Sequence, residues 1–183
     1  MAAFPLSEVA YLRIGMGFLS FEREEKVDAI SYDLDVSLKW FPMIIDYNPG
    51  GSILHLSGGF FLNQSRADAS YLPEISIELG GHTYSPGNVG EVTGRISMQP
   101  ISPYLGIGLG KPAGSGDGLK FLLDAGIAFT SFDVNLNHVG GNLSPGLEEQ
   151  LQEDLDMEAD SLEESLDNLK VYPVISAGLF YSW

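Results

Sequence analysis

The sequence ends with the stretch Val174-Ile175-Ser176-Ala177-Gly178-Leu179-Phe180-Tyr181-Ser182-Trp183. Because a β-strand turns successive side chains to opposite faces, one face of this stretch would carry Ile175, Ala177, Leu179, Tyr181 and Trp183. That face is continuously apolar and ends in aromatic residues, whereas the other face carries small and mixed side chains. Such a pattern is typical of a strand that stands between lipid and a polar lumen. It predicts a transmembrane β-barrel.

Other segments alternate with the same period of two, namely residues 9–21, 30–41, 53–65, 95–110 and 119–131. They run for about 10–14 residues, close to the length with which a tilted strand crosses a bilayer. We therefore predict an all-β protein that forms a single domain over residues 1–183. Its fold is an antiparallel transmembrane β-barrel, with six visible strands of an eight-stranded meander and an acidic helical insert before the last strand.

The connections between these segments alternate in length. Residues 42–52 and 111–118 are predicted to be short turns, residues 66–94 and 132–169 long loops, and residues 22–29 an intermediate loop. Short periplasmic turns and longer extracellular loops are the pattern of outer-membrane barrels. Six strands alone would leave two unpaired edges in lipid, which a membrane does not tolerate. We therefore expect that one or two N-terminal strands are missing, or that six strands close into an unusually tight barrel. Met1-Ala2-Ala3-Phe4-Pro5 also lacks the basic start and apolar stretch of a signal peptide, which suggests a processed, trimmed or N-terminally incomplete chain.

Composition excludes some classes of function. The formal net charge of −16 argues against nucleic acid as a partner, since phosphate binding needs clustered lysine and arginine. The chain has no cysteine, which removes disulfides and thiolate metal sites. No run of residues is apolar enough over a sufficient length for a membrane-spanning helix.

Several motifs together resemble a known family. They are Ile101-Ser102-Pro103-Tyr104-Leu105-Gly106-Ile107-Gly108-Leu109-Gly110, Val171-Tyr172-Pro173-Val174, Asp33-Leu34-Asp35 before Trp40-Phe41-Pro42, and Gly81-His82-Thr83-Tyr84. The combination resembles a family of small, functionally uncharacterised outer-membrane β-barrel proteins of Gram-negative bacteria. The resemblance implies the bacterial outer membrane as location. It implies outer-membrane lipid and lipopolysaccharide as surroundings, and recognition of the C-terminal strand by the barrel-assembly machinery. It brings no established activity and no catalytic residue, and we expect no cofactor and no metal site.

Charged and polar residues on the less apolar strand faces form a predicted lumen network of Arg13, Asp33, Asp35, Lys39, His55, Lys120 and Asp124. One interpretation is a selectivity constriction or a proton path. The other is an internal network of salt bridges that fills a narrow barrel, because buried charges must be paired. On the lipid face, a predicted aromatic girdle comprises Tyr32, Trp40, Phe60, Phe121, Phe129, Tyr181 and Trp183.

Residues 144–169 form a predicted helical insert in the last extracellular loop. Leucines recur at helical spacing, Ser144-Pro145 suits a helix start, and Ser161-Leu162-Glu163-Glu164 resembles a capping box, so two helices are predicted as an option. The insert carries the acids Glu148, Glu149, Glu153, Asp154, Asp156, Glu158, Asp160, Glu163, Glu164 and Asp167. They are candidates for binding divalent cations near lipopolysaccharide or docking a basic partner. Alternatively, the insert is a solvated amphipathic helix that caps the barrel.

The resulting functional hypothesis is a barrel with a structural or interaction role, or a narrow porin-like pore, that is not an enzyme. Two alternatives stay open. One is a soluble or periplasmic barrel that binds a small apolar ligand, in which case the same apolar faces would point inward. The other is an outer-membrane lipid-modifying enzyme, which would need Ser65 or Ser131 beside His82 or His138 at one rim.

Overall fold

The computed structural model describes residues 1–27, 30–110 and 118–182. The described strands are β1 Ala2–Pro5, β2 Ala10–Ile14, β3 Gly17–Val27, β4 Ile30–Tyr47, β5 Leu54–Asn63, β6 Arg66–Tyr71, β7 Ile77–Leu79, β8 His82–Tyr84, β9 Glu91–Met98, β10 Ile101–Gly110, β11 Gly118–Phe129, β12 Phe132–Val139 and β13 Val171–Ser182. The helices are α1 Pro86–Val89 and α2 Pro145–Ser165, and short 3-10 turns cover Pro49–Gly51 and Leu166–Leu169.

Most of these strands join end to end into long antiparallel strands. β2 and β3 pair in succession with one side of β4, while β5 and β6 pair in succession with its other side. β9 and β10 follow as the next long strand, then β11 and β12, and β13 pairs with β11. The predicted antiparallel meander of six main strands is therefore confirmed.

The long strands break at a common level, between β2 and β3, β5 and β6, β9 and β10, and β11 and β12. Three prolines lie at or near this level, since proline donates no backbone hydrogen bond and is tolerated where pairing is interrupted. Pro100 lies between β9 and β10, and Pro42 accepts a hydrogen bond from Gly15 in the break of the neighbouring strand. Pro103 precedes Tyr104, where the ladder between β10 and β11 begins. We call the part of the sheet formed by β2, β5, β10, β11, β13 and the end of β4 the lower half. The part formed by β3, β6, β9, β12 and the start of β4 is the upper half.

In the lower half, the side chains alternate as the sequence predicts. The outward face carries exposed apolar residues, among them Leu56, Phe60, Leu105, Ile107, Phe121, Ile127, Ile175 and Leu179. The inward face buries Arg13, Asp46, His55, Ser57, Ser102 and Asp124. The hypothesis of a soluble barrel needed the apolar faces to point inward, and the structure places them outward.

The upper half reverses this arrangement. β4 passes through both halves without a break and keeps Leu38, Trp40 and Ile44 on its inward face. Asp33, Asp35 and Lys39 therefore lie on its outward face, which differs from their predicted place in the lumen. Above the level of Lys39 the outward face is polar and the inward face apolar, so the same alternation pattern has the opposite orientation.

Strands also replace most of the predicted loops. β3 extends through the predicted loop 22–29 as far as Val27, and β4 extends to Tyr47 within the predicted turn 42–52. The predicted loop 66–94 contains β6, β7, β8, α1 and the start of β9, and the predicted loop 132–169 contains β12. These predictions were wrong because the polar outward faces of the upper strands resemble loop composition. The predicted turn 111–118 falls largely outside the described residues.

The insert forms one helix, α2, which continues into the turn Leu166–Leu169. Ser161 lies inside α2 and does not start a second helix. Leu151 and Leu155 are fully buried against Tyr84 and Val89, and α2 packs mainly along β12. The helix, the hairpin β7–β8 and α1 thus form a cap on the upper half of the sheet.

The sheet is not closed over the described residues, where β1 pairs with β2 and β13 pairs with β11. No described helix is long and apolar enough to cross a membrane.

Candidate functional site

A buried ion cluster crosses the lumen in the lower half. Arg13 on β2 lies between two carboxylates: its Nη1 and Nη2 donate to Asp124 at 2.8 and 2.9 Å, and its Nη2 donates to Asp46 at 2.8 Å. Its Nε lies 2.5 Å from the second oxygen of Asp46. Arg13 is 1% exposed, and Asp46 and Asp124 are likewise buried. Asp124 is thus held bidentately by the guanidinium, whereas the contact between Nε and Asp46 is an ion pair without hydrogen-bond geometry.

His55 extends the cluster. Its Nε2 lies 2.7 Å from Asp124 Oδ1, and its Nδ1 lies 3.2 Å from the backbone carbonyl of Gly110. Both ring nitrogens of His55 therefore face oxygen acceptors, and the contacts hold the imidazole against β10 and β11. The arginine lies against two buried carboxylates, and such pairing reduces the cost of burying charge. Ser57 and Ser176 complete the shell by donating to Asp46 and Asp124.

Asp46, His55 and Asp124 also form a metal-like triad, with one ligand atom each within 4.8 Å of the others. The guanidinium of Arg13 already occupies the space between the two carboxylates. A metal ion would have to displace the guanidinium. The two carboxylates of the triad therefore bind Arg13 rather than a metal. Asp46 was not predicted as a lumen residue, because residues 42–52 were expected to form a turn. On β4 it shares its face with Trp40 and Ile44, and that face was predicted to meet lipid.

Glycines make room for these side chains. A Cβ at Gly108 would lie 2.3 Å from His55 Nε2, and a Cβ at Gly106 would lie 2.3 Å from the hydroxyl of Tyr104. The absence of side chains at Gly108 and Gly106 therefore lets His55 and Tyr104 lie close against the backbone of β10. Lys120 lies lower on the inward face of β11, and its buried Nζ has no hydrogen-bond partner among the described residues.

An aromatic cavity of about 610 Å³ lies above the ion cluster. Arg13 and Asp124 form its floor, and its walls include Trp40, Phe61, Tyr104, Phe132 and Tyr172. Trp40 was predicted to belong to the lipid-facing girdle, but it packs inward beside Ile44, Phe61 and Tyr104.

The outward face of the upper half is a polar trough of about 1150 Å³. Glu22, Asp35, Asp68 and Arg95 stand directly opposite one another on β3, β4, β6 and β9. Asp68 pairs with Arg66 at 2.9 Å and with Arg95 at 2.5 Å. The side chains of the trough are largely exposed, which is expected of a surface that meets water rather than lipid.

The cap is held by one buried acid of the insert. Asp154 on α2 accepts hydrogen bonds from the hydroxyl of Tyr84 at 2.5 Å and from His82 Nδ1 at 2.9 Å. Gln150 donates to the other ring nitrogen of His82 at 2.8 Å. Burial, together with the hydrogen bond to Asp154, raises the pKa of Tyr84 to about 12. Asp154 thus connects α2 to the hairpin β7–β8.

Unlike Asp154, the other acids of the insert are not fully buried. Glu163 is half-buried, and the rest are exposed, namely Glu148, Glu149, Glu153, Asp156, Glu158, Asp160, Glu164 and Asp167. Within the described part of the chain, no group of insert acids converges as metal ligands do.

The girdle prediction has mixed outcomes in the structure. Phe60, Phe121, Phe129 and Tyr181 point outward and are exposed. The side chains of Tyr32 and Trp183 lie outside the described part. The outward apolar residues of β11 run from Leu119 to Phe129, about 33 Å along the strand. With the tilt usual in membrane barrels, this run covers an apolar band about 25 Å tall.

The pairs needed for a lipid-modifying enzyme do not form among the described residues. The hydroxyl of Ser65 donates to the backbone of Lys39, and that of Ser131 donates to Gln99. His82 is engaged by Asp154 and Gln150.

An antiparallel sheet with an apolar outward band and a paired polar interior defines the class of transmembrane β-barrels. Two solved structures share the fold. The crystal structure of CarO from Acinetobacter baumannii is 21% identical with a TM-score of 0.54, over 99% of this chain and 90% of that chain. That of A. baumannii CarO2 is 18% identical with a TM-score of 0.53, at the same coverage of both chains. No protein-family model and no curated protein sequence matches the chain.

Proposed function

We propose that this chain is an outer-membrane β-barrel protein with a closed lumen, and that it acts through structure and interaction rather than by conducting solutes. The observation that carries this proposal is the ion cluster, in which Arg13 joins β2 to Asp46 on β4 and Asp124 on β11. Each of these side chains is almost completely buried, so the cluster fills the lower lumen.

The reversal of polarity supports the membrane location. The outward face of the lower half is an apolar band, and the polar trough begins directly above it. In the proposed arrangement the band contacts lipid, while the trough and α2 lie outside the cell beside lipopolysaccharide. The C-terminal strand β13 would engage the barrel-assembly machinery. The exposed acids of α2 remain candidates for contacts with divalent cations or a basic partner.

Planar-bilayer recording tests the closed lumen. Folded protein, identified by faster migration when unboiled on a denaturing gel, should show no discrete single-channel conductance. Reproducible conductance steps from the same preparation would contradict the proposal and support a narrow pore.

Cysteine labelling tests location and orientation, because the chain has no cysteine of its own. Glu158→Cys on α2 and Ser52→Cys in the opposite turn are matched, since both positions are exposed. When the protein is exported in a Gram-negative cell, an impermeant maleimide should label Glu158→Cys on intact cells. It should label Ser52→Cys only after the outer membrane is permeabilised. Equal labelling of both variants on intact cells would be incompatible with the proposed orientation.

A further inference from the structure

We infer that the aromatic cavity is a binding site for a neutral aromatic molecule of about one or two rings. The cavity of about 610 Å³ lies inside the range of about 300–1,000 Å³ that small-molecule sites occupy. This site is distinct from the closed lower lumen and from the interaction surfaces of the proposed function.

The walls favour flat, apolar ligands. Aromatic rings come from four long strands: Trp40 from β4, Phe61 from β5, Tyr104 from β10 and Tyr172 from β13. Phe61 and Tyr104 already meet edge to face, with ring centroids 5.4 Å apart. A further ring between them would gain the same edge-to-face and offset contacts.

The chain keeps this space free of its own side chains. Arg13 turns down to Asp46 and Asp124 rather than across the cavity. The ring of Tyr104 lies along the wall, where a Cβ at Gly106 or Gly126 would collide with its hydroxyl at 2.3 or 2.6 Å. The two glycines thus let the ring of Tyr104 lie close to the sheet, where it leaves the space between the aromatic walls open.

The polar groups of the cavity select for a neutral ligand. The charge of Arg13 on the floor is already satisfied by two carboxylates, so a charged ligand would lose its hydration without gaining a free counter-ion. Asn63 Nδ2 donates to Ser102 and to the carbonyl of Gln99. Among the described residues nothing donates to Asn63 Oδ1 in return, which leaves an acceptor for one hydroxyl or N–H of the ligand.

Quenching of Trp40 fluorescence tests the inference directly. The chain has two tryptophans, so a Trp183→Phe background leaves Trp40 as the sole emitter. The probe is 4-nitrobenzyl alcohol, a neutral aromatic quencher, titrated into folded protein in detergent. We expect saturable quenching, and much weaker quenching by the charged analogue 4-nitrobenzoate.

Two substitutions on β13 provide the matched comparison. Val174→Phe places a ring in the cavity, whereas Leu179→Phe places the same ring on the outward face, where Leu179 is 68% exposed. Val174→Phe should weaken binding about tenfold or more, equivalent to about 1.4 kcal/mol, and Leu179→Phe should leave it unchanged. If Val174→Phe loses heat-modifiability, the milder Val174→Leu takes its place and should weaken binding about threefold.

Two results would overturn the inference. One is quenching that rises linearly without saturation and equals that of a tryptophan amide in empty micelles. The other is equal affinity in the cavity variant and the outward control when both are folded.

Discussion

The two halves of β4 share one strand and one alternation, yet they meet opposite surroundings. In the lower half, Ile45 and Tyr47 point outward and Asp46 points into the lumen. In the upper half, Asp33 and Asp35 point outward and Leu38 and Trp40 point inward. The alternation of apolar and polar residues therefore shows that a strand has two different faces. Whether the apolar face points outward or inward depends on whether lipid or water surrounds that part of the sheet. The comparison predicts that the same substitution will have different effects above and below the level of Lys39.

The largest difference should come from the two arginine environments. Arg13→Met leaves Asp46 and Asp124 buried without a cation, and removing one partner of a buried pair costs about 3–5 kcal/mol. Arg66→Met is the matched control, because the side chain of Arg66 is 56% exposed and its pair with Asp68 contributes at most about 1 kcal/mol. Urea unfolding in detergent measures both free energies of unfolding. Similar losses of unfolding free energy in Arg13→Met and Arg66→Met would contradict the conclusion that the lower half buries its charges and the upper half exposes them.

A charge on the outward face should show the next largest difference. Ile107→Arg inserts a cation into the apolar band and should lower the free energy of unfolding by about 2–4 kcal/mol. Asn135→Arg on β12 adds the same side chain to the polar trough and should change it by less than about 0.5 kcal/mol. The measurement is equilibrium unfolding from lipid vesicles. A tolerated Ile107→Arg would mean that the lower outward face does not contact lipid.

In the cap, Asp154→Ala should cost about 1–3 kcal/mol, because it leaves the buried hydroxyl of Tyr84 and the ring of His82 without an acceptor. The loss should be local. Hydrogen exchange of α2 should accelerate, while the amides of β10 and β11 keep their protection. Faster exchange in the lower strands as well would show that the cap and the lower half unfold together.

The same contact gives the cap a dependence on alkaline pH. Because the folded pKa of Tyr84 is raised from 10.0 to about 12, its contribution to stability is complete below pH 10 and is lost as the pH rises through about 12. Because burial is the larger cause of the shift, the phenolate transition of Tyr84 in an ultraviolet titration should move only part of the way towards its ordinary pKa in Asp154→Ala. An unchanged transition in this variant would assign the raised pKa to burial alone.

The smallest effect should come from the exposed acids of α2. Glu158→Gln removes a solvated charge and should alter the free energy of unfolding by less than about 0.5 kcal/mol. Asp154→Asn, on the same helix, should destabilise more, since its carboxylate is buried. A large loss of stability in Glu158→Gln would reveal a partner for that side chain.

The lower half was predictable from the sequence. The faces of β5, β10, β11 and β13 follow the period-two pattern, since lipid outside and a polar lumen leave a strong signal in each strand. The shared inward face of Arg13, His55 and Asp124 follows from the same alternation. Their contacts depend in addition on the register, that is, on which residues of neighbouring strands lie opposite one another. A shift by one residue would have moved each of them to the other face.

The upper half was not predictable by the same reasoning. Asp33, Asp35 and Lys39 alternate as cleanly as any lower residues, and nothing in that pattern marks where lipid gives way to water. The strands β6 and β12 were mistaken for loops because their outward polar residues and short lengths lack a lipid-facing signature. The role of Asp154 among ten acids of the insert depends on the hairpin β7–β8, which lies some 70 residues away in sequence.

Arg13 and Asp124 are separated by 111 residues, and Asp46 lies on a strand between them. Contacts between distant segments form late, because the chain must first lose the entropy of the intervening loop. Until β11 joins the sheet, Arg13 lacks Asp124 and the cluster does not have its full set of partners. Charge neutralisation is therefore tied to completion of the meander, and a partly assembled sheet would retain exposed charges that oppose its entry into lipid.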